Sequence, residues 1–205
     1  MTARPPQVLL LDLGNVLAFF DHQQACRALA DLSAPPRTAA EMHRAIFASG
    51  LERDFDRGRL SAPEFVERLR GLCPGASDQA LTAAWGNIFR PNPIVIGALP
   101  RLKQAGVRIV LASNTNELHY AWLQHRLPDA LALADAAALS CQIGETKPSA
   151  AFFDACLRLA GTDASACFFV DDKPEYVDAA RHLGIDGLLY GDHAFTAWVD
   201  GVTGG

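Results

Sequence analysis

The stretch Val8-Leu9-Leu10-Leu11-Asp12-Leu13-Gly14-Asn15-Val16-Leu17 decides the fold. Four large aliphatic residues in a row, with no polar alternation, spell a strand buried on both faces, as in a parallel sheet inside an α/β protein. Asp12 then falls at the carboxyl end of that strand, the edge where open α/β sheets collect ligands. Cys167-Phe168-Phe169-Val170-Asp171-Asp172 repeats the design, so two strands each finish in acid and can meet around a cation. Taken singly, Asp12 reads better as a turn residue, and Asp171-Asp172 reads equally well as acids complementing a helix N-terminus.

Outward from the first strand the pattern changes at once. From Asp21 to Phe89 only helical periodicity is present, enough for four helices. Ala25, Leu29 and Leu32 mark the first, and Met42, Ile46 and Phe47 the second. Ser61-Ala62-Pro63-Glu64 opens the third as a capping box with an early proline, ahead of the stripe Phe65, Leu69 and Leu72. Leu81, Trp85, Ile88 and Phe89 form the fourth, which stops before Arg90-Pro91-Asn92-Pro93. Beyond Ile94 helix and strand alternate, with strands expected at 107–112, 136–140, 167–170 and 185–190 and helices between them. The expected architecture is α/β: a Rossmann-like parallel sheet core from residues 1–19 and 91–205, and a small helical cap domain, 20–90, inserted after strand 1. Placed over the strand end that carries Asp12, the insert is positioned as a lid. The Gly-rich tail 201–205 is expected to fray.

With 205 residues, half of them hydrophobic and a fifth charged, the chain can hold one substantial core and an accessory unit. Its apolar runs fall short of a membrane span, and Met1-Thr2-Ala3-Arg4-Pro5-Pro6 shows no signal-type segment, so a soluble cytoplasmic protein is expected. A net charge of −5 with scattered Lys and Arg excludes a basic stripe for nucleic acid. The five cysteines, Cys26, Cys73, Cys141, Cys156 and Cys167, lack metal-ligand spacing and are expected as reduced, mostly buried thiols. The six histidines show no ligand spacing either.

Four strand ends in chain order offer Asp12, Ser113-Asn114-Thr115-Asn116, Thr146-Lys147-Pro148 and Asp171-Asp172. Together they suit a phosphate site: carboxylates as hard ligands for Mg²⁺, Ser113 and Asn114 with neighbouring N–H groups as donors, and Lys147 as a compact cation offsetting a carboxylate beside a phosphate dianion.

These motifs, in this order, resemble the haloacid dehalogenase superfamily of hydrolases. Asp12-Leu13-Gly14-Asn15-Val16-Leu17 looks like its first motif, Ser113-Asn114 its second, Lys147-Pro148 its third and Asp171-Asp172 its fourth. The segment Phe55-Asp56-Arg57-Gly58-Arg59-Leu60-Ser61 through Phe65 is similar to the cap of a branch that includes bacterial sugar-phosphate phosphatases such as an α-glucose-1-phosphate phosphatase. The resemblance implies that Asp12 attacks phosphorus to give an aspartyl-phosphate, which water then hydrolyses. It implies Mg²⁺ held by Asp12, the Gly14 carbonyl and Asp172, with Asp171 behind them or bridging through water. It implies phosphoryl oxygens bound by Ser113, with Asn15 and Asn114 beside it, and Lys147 orienting Asp12. The partner is then a small phosphorylated metabolite.

Two departures stand out. Relatives that are phosphatases usually carry a second Asp two positions after the nucleophile as general acid, and here that position is Gly14. Losing a general acid costs about 10² to 10⁴ in rate and hurts least when the leaving group is already acidic, so anomeric or acyl phosphates are the expected substrates. Asp21 or His22, where the insert begins, are candidate substitutes. The second departure is Tyr176, where the fourth motif often continues with Asp or Asn; Asp178 has no evident role. Two other readings are a 2-haloacid dehalogenase, which needs no cation, and a phospho-ligand binding protein without turnover.

Overall fold

The computed structural model describes residues 6–204. A five-stranded, wholly parallel sheet forms the centre, in the order β5-β4-β1-β6-β7, with β1 Val8–Leu11, β4 Arg108–Ser113, β5 Ala136–Leu139, β6 Cys167–Asp171 and β7 Asp186–Leu189. All four residues of β1 are buried. Alternation along the strand sends Leu9 and Leu11 to one face and Val8 and Leu10 to the other. On the first face they meet Val95, Leu99 and Leu102 of helix Pro93–Gln104 and Phe195 and Val199 of helix Asp192–Thr203. On the second they meet Phe152, Phe153 and Cys156 of helix Ala150–Ala160 and Val177 and Ala180 of helix Pro174–His182. Apolar side chains on both sides of one strand are why the run Val8–Leu11 carries no polar residue.

Register aligns the strand ends. Leu11 pairs with Leu111 of β4 and with Val170 of β6, so Asp12 emerges beside Asp171 and one step below Ser113. The Asp12 N–H donates to the Val170 carbonyl at 3.0 Å, extending the ladder to the acid itself.

Between β1 and β4 the chain makes a two-stranded antiparallel ribbon, β2 Ala18–Phe20 with β3 Phe89–Pro91, which leads into and out of the helical segment. The sequence predicts no strand there: the ribbon is too short to show periodicity, and Ile88 and Phe89, which the periodicity places in the fourth helix, lie beyond its last residue, Gly86. Asn92 fastens the ribbon, its N–H to the Leu17 carbonyl and its Nδ2 to the Val16 carbonyl at 2.7 Å.

The segment contains helices at all four expected places, His22–Asp31, Ala39–His43 continued by a π-helical turn Arg44–Ala48, Ala62–Leu72 and Asp78–Gly86, plus an additional short helix, Leu51–Asp56. That fifth piece begins after Gly50, whose φ of 83° breaks the preceding turn. Ala25, Leu29, Ile46, Phe55, Phe65, Leu69 and Trp85 bury one another in a cluster distinct from the two sheet faces. The capping box at Ser61 and Glu64 is present as read.

The tail differs from expectation, since residues 201–203 complete the helix Asp192–Thr203, whose Arg101–Asp200 and Arg101–Thr203 hydrogen bonds tie it to the neighbouring helix. Gly205 and the leader reading at 1–5 lie outside the described residues. The five cysteines are free, four of them buried. No helix among the described residues is long and apolar enough to cross a membrane.

Candidate active site

The turn after β1 is built by Leu13 to Ala18. Gly14 and Ala18 form an isolated bridge that uses the Leu13 carbonyl and the Asn15 N–H, leaving the Gly14 carbonyl outside that pairing. Asn15 takes φ 56°, a left-handed conformation Asn tolerates better than most residues, and its Nδ2 donates to Asp172 Oδ2 at 3.0 Å. This bond aims the Asp172 carboxylate at Asp12.

Asp12, Asp171 and Asp172 each offer an oxygen within 4.8 Å of the others. The fully buried Lys147 ammonium lies 2.9 Å from Asp12 Oδ1 and 2.5 Å from Asp171 Oδ2, the latter a charge-assisted bond at the short limit. Asp171 Oδ1 accepts from the Lys173 N–H, so both its oxygens are engaged inside the protein. Burial pushes the Asp12 carboxyl up to about 7; Lys147 pulls it down and the like charge of Asp171 pushes it up again. Burial alone would depress Lys147, but the two carboxylates outweigh it and raise its pKa. Three carboxylates against the buried Lys147 ammonium and the exposed Lys173 leave surplus negative charge. An all-oxygen donor set with that surplus fits a small hard divalent cation such as Mg²⁺ and not a soft one.

The second and third strand-end loops interlock. Asn114 Oδ1 accepts from the Lys147 N–H at 2.8 Å and its Nδ2 donates to the Lys147 carbonyl at 3.1 Å, so the Asn114 amide clamps the backbone that carries the lysine. The side chains of Asn15 and Asn114, expected against the phosphate, are thus bonded to protein partners. Ser113, nearly inaccessible, makes only a long 3.5 Å contact through its hydroxyl and is free to bond a ligand.

A cavity of about 300 Å³ opens here. Gly14, Ser113, Thr146 and Lys147 line it from the sheet side, Phe20, His22, Phe89 and Leu123 form an apolar flank, and Glu52, Arg53, Asp56 and Arg57 close it from the helical segment. Burial pushes the Glu52 and Asp56 carboxyls up, Asp56 well up, and the neighbouring Glu52 charge adds to the rise at Asp56. Asp56 also ties insert to core: its Oδ1 accepts from Asn116 Nδ2 at 2.8 Å and its carbonyl from Ser140 Oγ at 2.6 Å. Next to it Gly58, at φ 65°, packs so closely that a Cβ would lie 2.0 Å from the Cys141 carbonyl oxygen. The sequence assigns no role to Glu52 or Asp56 and brings in Thr146 only as the neighbour of Lys147; Asp56 is marked there only by the cap-like segment Phe55–Ser61, because helix Leu51–Asp56 is too short to show a period.

Of the candidate acids near the insert, Asp21 is turned away, capping helix His22–Asp31 and paired with Arg27. His22 does line the cavity, though burial pushes its pKa down to about 4, leaving it neutral at pH 7. Asp178 pairs with Arg181 on the surface.

Residues 6–184 match the family model of haloacid dehalogenase-like hydrolases. The chain belongs to that family. This haloacid dehalogenase-like hydrolase is 29% identical over 153 residues to the sesquiterpene phosphatase astK of Aspergillus oryzae, covering 69% of this chain and 73% of that protein. It is 26% identical over 190 residues to the D-ribitol-5-phosphate phosphatase of Bacteroides thetaiotaomicron, covering 87% and 88%. Among solved structures, a haloacid dehalogenase family enzyme of Bacteroides thetaiotaomicron in complex with magnesium and inorganic phosphate superposes with a TM-score of 0.80 at 22% identity, covering 91% of this chain and 95% of that one. At that identity the likeness speaks for the fold.

Proposed function

We propose that this hydrolase is a Mg²⁺-dependent phosphatase of small phosphorylated metabolites that works through an aspartyl-phosphate on Asp12, with residues 20–90 as the cap over its site. The observation that carries this reading is the convergence of Asp12, Asp171 and Asp172 to within 4.8 Å with Lys147 bridging the first two. A dehalogenase attacking carbon has no use for a paired-acid cation site. The two named relatives, both phosphatases, support the same direction.

Asp12 Oδ2, the oxygen not bonded to Lys147, is the nucleophile. It attacks phosphorus as the P–O bond to the leaving group breaks, and water then cleaves the acyl-phosphate to return Asp12 and inorganic phosphate. Lys147 holds Asp12 in one orientation and offsets the charge of the incoming dianion, and Ser113 donates to a phosphoryl oxygen. Asp12, Asp172 and the Gly14 carbonyl, with Asp171 behind them, would hold the divalent cation, whose positive charge would favour the Asp12 carboxylate and screen the phosphoryl oxygens.

The leaving group departs without a carboxylic acid at position 14, since Phe20 fills the space such a side chain would enter. Substrates with acidic leaving groups, sugar 1-phosphates among them, therefore suit the site best. Phosphate release from a generic aryl phosphate is expected to require Mg²⁺, to stop with EDTA and to vanish in Asp12→Asn. A sugar 1-phosphate is expected to outpace its 6-phosphate isomer in kcat/KM; the reverse order would contradict the leaving-group argument.

A further inference from the structure

Tyr176 is the residue of the fourth motif that the reaction above leaves without a task. It stands in the first turn of helix Pro174–His182, partly buried, and its ring lines the same cavity as Ser113, Asn114 and Lys147. Two cations flank that ring: Lys147 Nζ lies 5.4 Å and Lys173 Nζ 4.9 Å from its centroid. The phenol oxygen has two protein neighbours, Asn114 Nδ2 at 3.4 Å and Lys173 Nζ at 3.5 Å.

Both neighbours are pure donors. An ammonium has no lone pair, and the Asn114 amide is fixed in this orientation because its oxygen accepts from the Lys147 N–H. The phenol oxygen must then accept, and its own hydrogen has no acceptor on the protein among the described residues. A half-buried O–H without an acceptor, beside two ammonium groups and at a cavity wall, is matched by an anion rich in acceptor oxygens.

Resting on the phosphatase reading, we propose that Tyr176 is a further substrate-binding residue, whose O–H donates to a non-bridging oxygen of the phosphoryl group in both the substrate and the released phosphate. The ring lies between the two lysines, and the hydroxyl adds a donor beside them.

Tyr176→Phe removes one atom and keeps the ring between its cations. Against wild type, with an aryl phosphate as substrate and inorganic phosphate as product inhibitor, the inhibition constant for phosphate and the KM are each expected to rise about tenfold, as for loss of one hydrogen bond to a charged group. The Mg²⁺ concentration giving half-maximal rate and the thermal midpoint are expected to hold. A variant that keeps the wild-type inhibition constant, with kcat or thermal midpoint lowered instead, would make Tyr176 a strut for Asn114 and overturn the inference while leaving the phosphatase reading intact. A wild-type protein that neither hydrolyses the aryl phosphate nor responds to inorganic phosphate overturns both.

Discussion

Gly14 and Phe20 compete for one volume: a Cβ at Gly14 would stand 2.7 Å from Phe20 Cε1. Phe20 is in turn set against His22, with ring centroids 4.8 Å apart, and Phe89 at 6.1 Å. The absent acid is thus a packed arrangement and not an empty place awaiting a side chain. Gly14→Asp alone is expected to destabilise the protein by about 1–3 kcal/mol through overpacking and to gain no activity on alkyl phosphates. With Phe20→Ala added, stability should recover in part and the ratio of 6-phosphate to 1-phosphate turnover should rise. Urea unfolding and paired kcat/KM values check both halves.

Burial disfavours the charged form of Asp12. Its pKa rises from an ordinary 3.8 to about 7 on folding, chiefly through burial. The sign follows from linkage: the folded state holds the proton more tightly, so this group's contribution is favourable below about pH 4 and is lost as pH rises through 7. In EDTA, Asp12→Asn is expected to match wild-type stability near pH 4 and to exceed it above pH 7. Unfolding midpoints of the two proteins across that range measure the difference.

His119 works in the opposite sense. Burial pushes its pKa down from 6.5 to about 3. Nδ1 lies 3.1 Å from Asn116 Nδ2 and Nε2 lies 3.3 Å from the Trp85 carbonyl, so the partners assign the proton to Nε2. A depressed histidine contributes stability above its unfolded pKa, and that stability fades as pH falls from 6.5 toward 3, by at most about 1.4 kcal/mol per pH unit. His119→Phe should flatten the acid limb of the stability curve between pH 6.5 and 4, read by urea unfolding at each pH.

How much of this was legible beforehand follows the physics of each signal. The sheet is legible because the apolar runs Val8–Leu11, Ile109–Ala112 and Cys167–Val170 lie in its three middle strands, between helices on both faces. The acids were legible because strand ends are positions that register brings together: Leu11 pairs with Val170, and Asp12 and Asp171 follow by one residue each. The ribbon of β2 and β3 was not, because three residues cannot display a period. Nor were the bonds of Asn15 to Asp172 and of Asn114 to Lys147, which join residues 157 and 33 positions apart and depend on side-chain direction. Helix Leu51–Asp56 is not legible because six residues cannot display a period: Phe55 alone is fully buried in the helical cluster, while Glu52 and Asp56 face the cavity.

Gly58 holds the helical segment down. At φ 65°, with a Cys141 carbonyl where its side chain would begin, no other residue fits without moving the turn. Gly58→Ala is expected to cost about 1–3 kcal/mol and to raise KM more than it lowers kcat, because Arg57 and Asp56 lose their places over the cavity. Steady-state kinetics beside thermal unfolding test this; unchanged KM would show that the turn does not position the cavity's outer wall.

The reaction proposed for this site passes through a covalent phosphate on Asp12. Acid quenching of the enzyme during turnover of a radiolabelled phosphate ester, followed by peptide mapping, tests it most directly. Label is expected on the peptide containing Asp12, present with Mg²⁺, absent with EDTA and absent in Asp12→Asn. Full turnover with no label on that peptide, or turnover undiminished in Asp12→Asn, would contradict it.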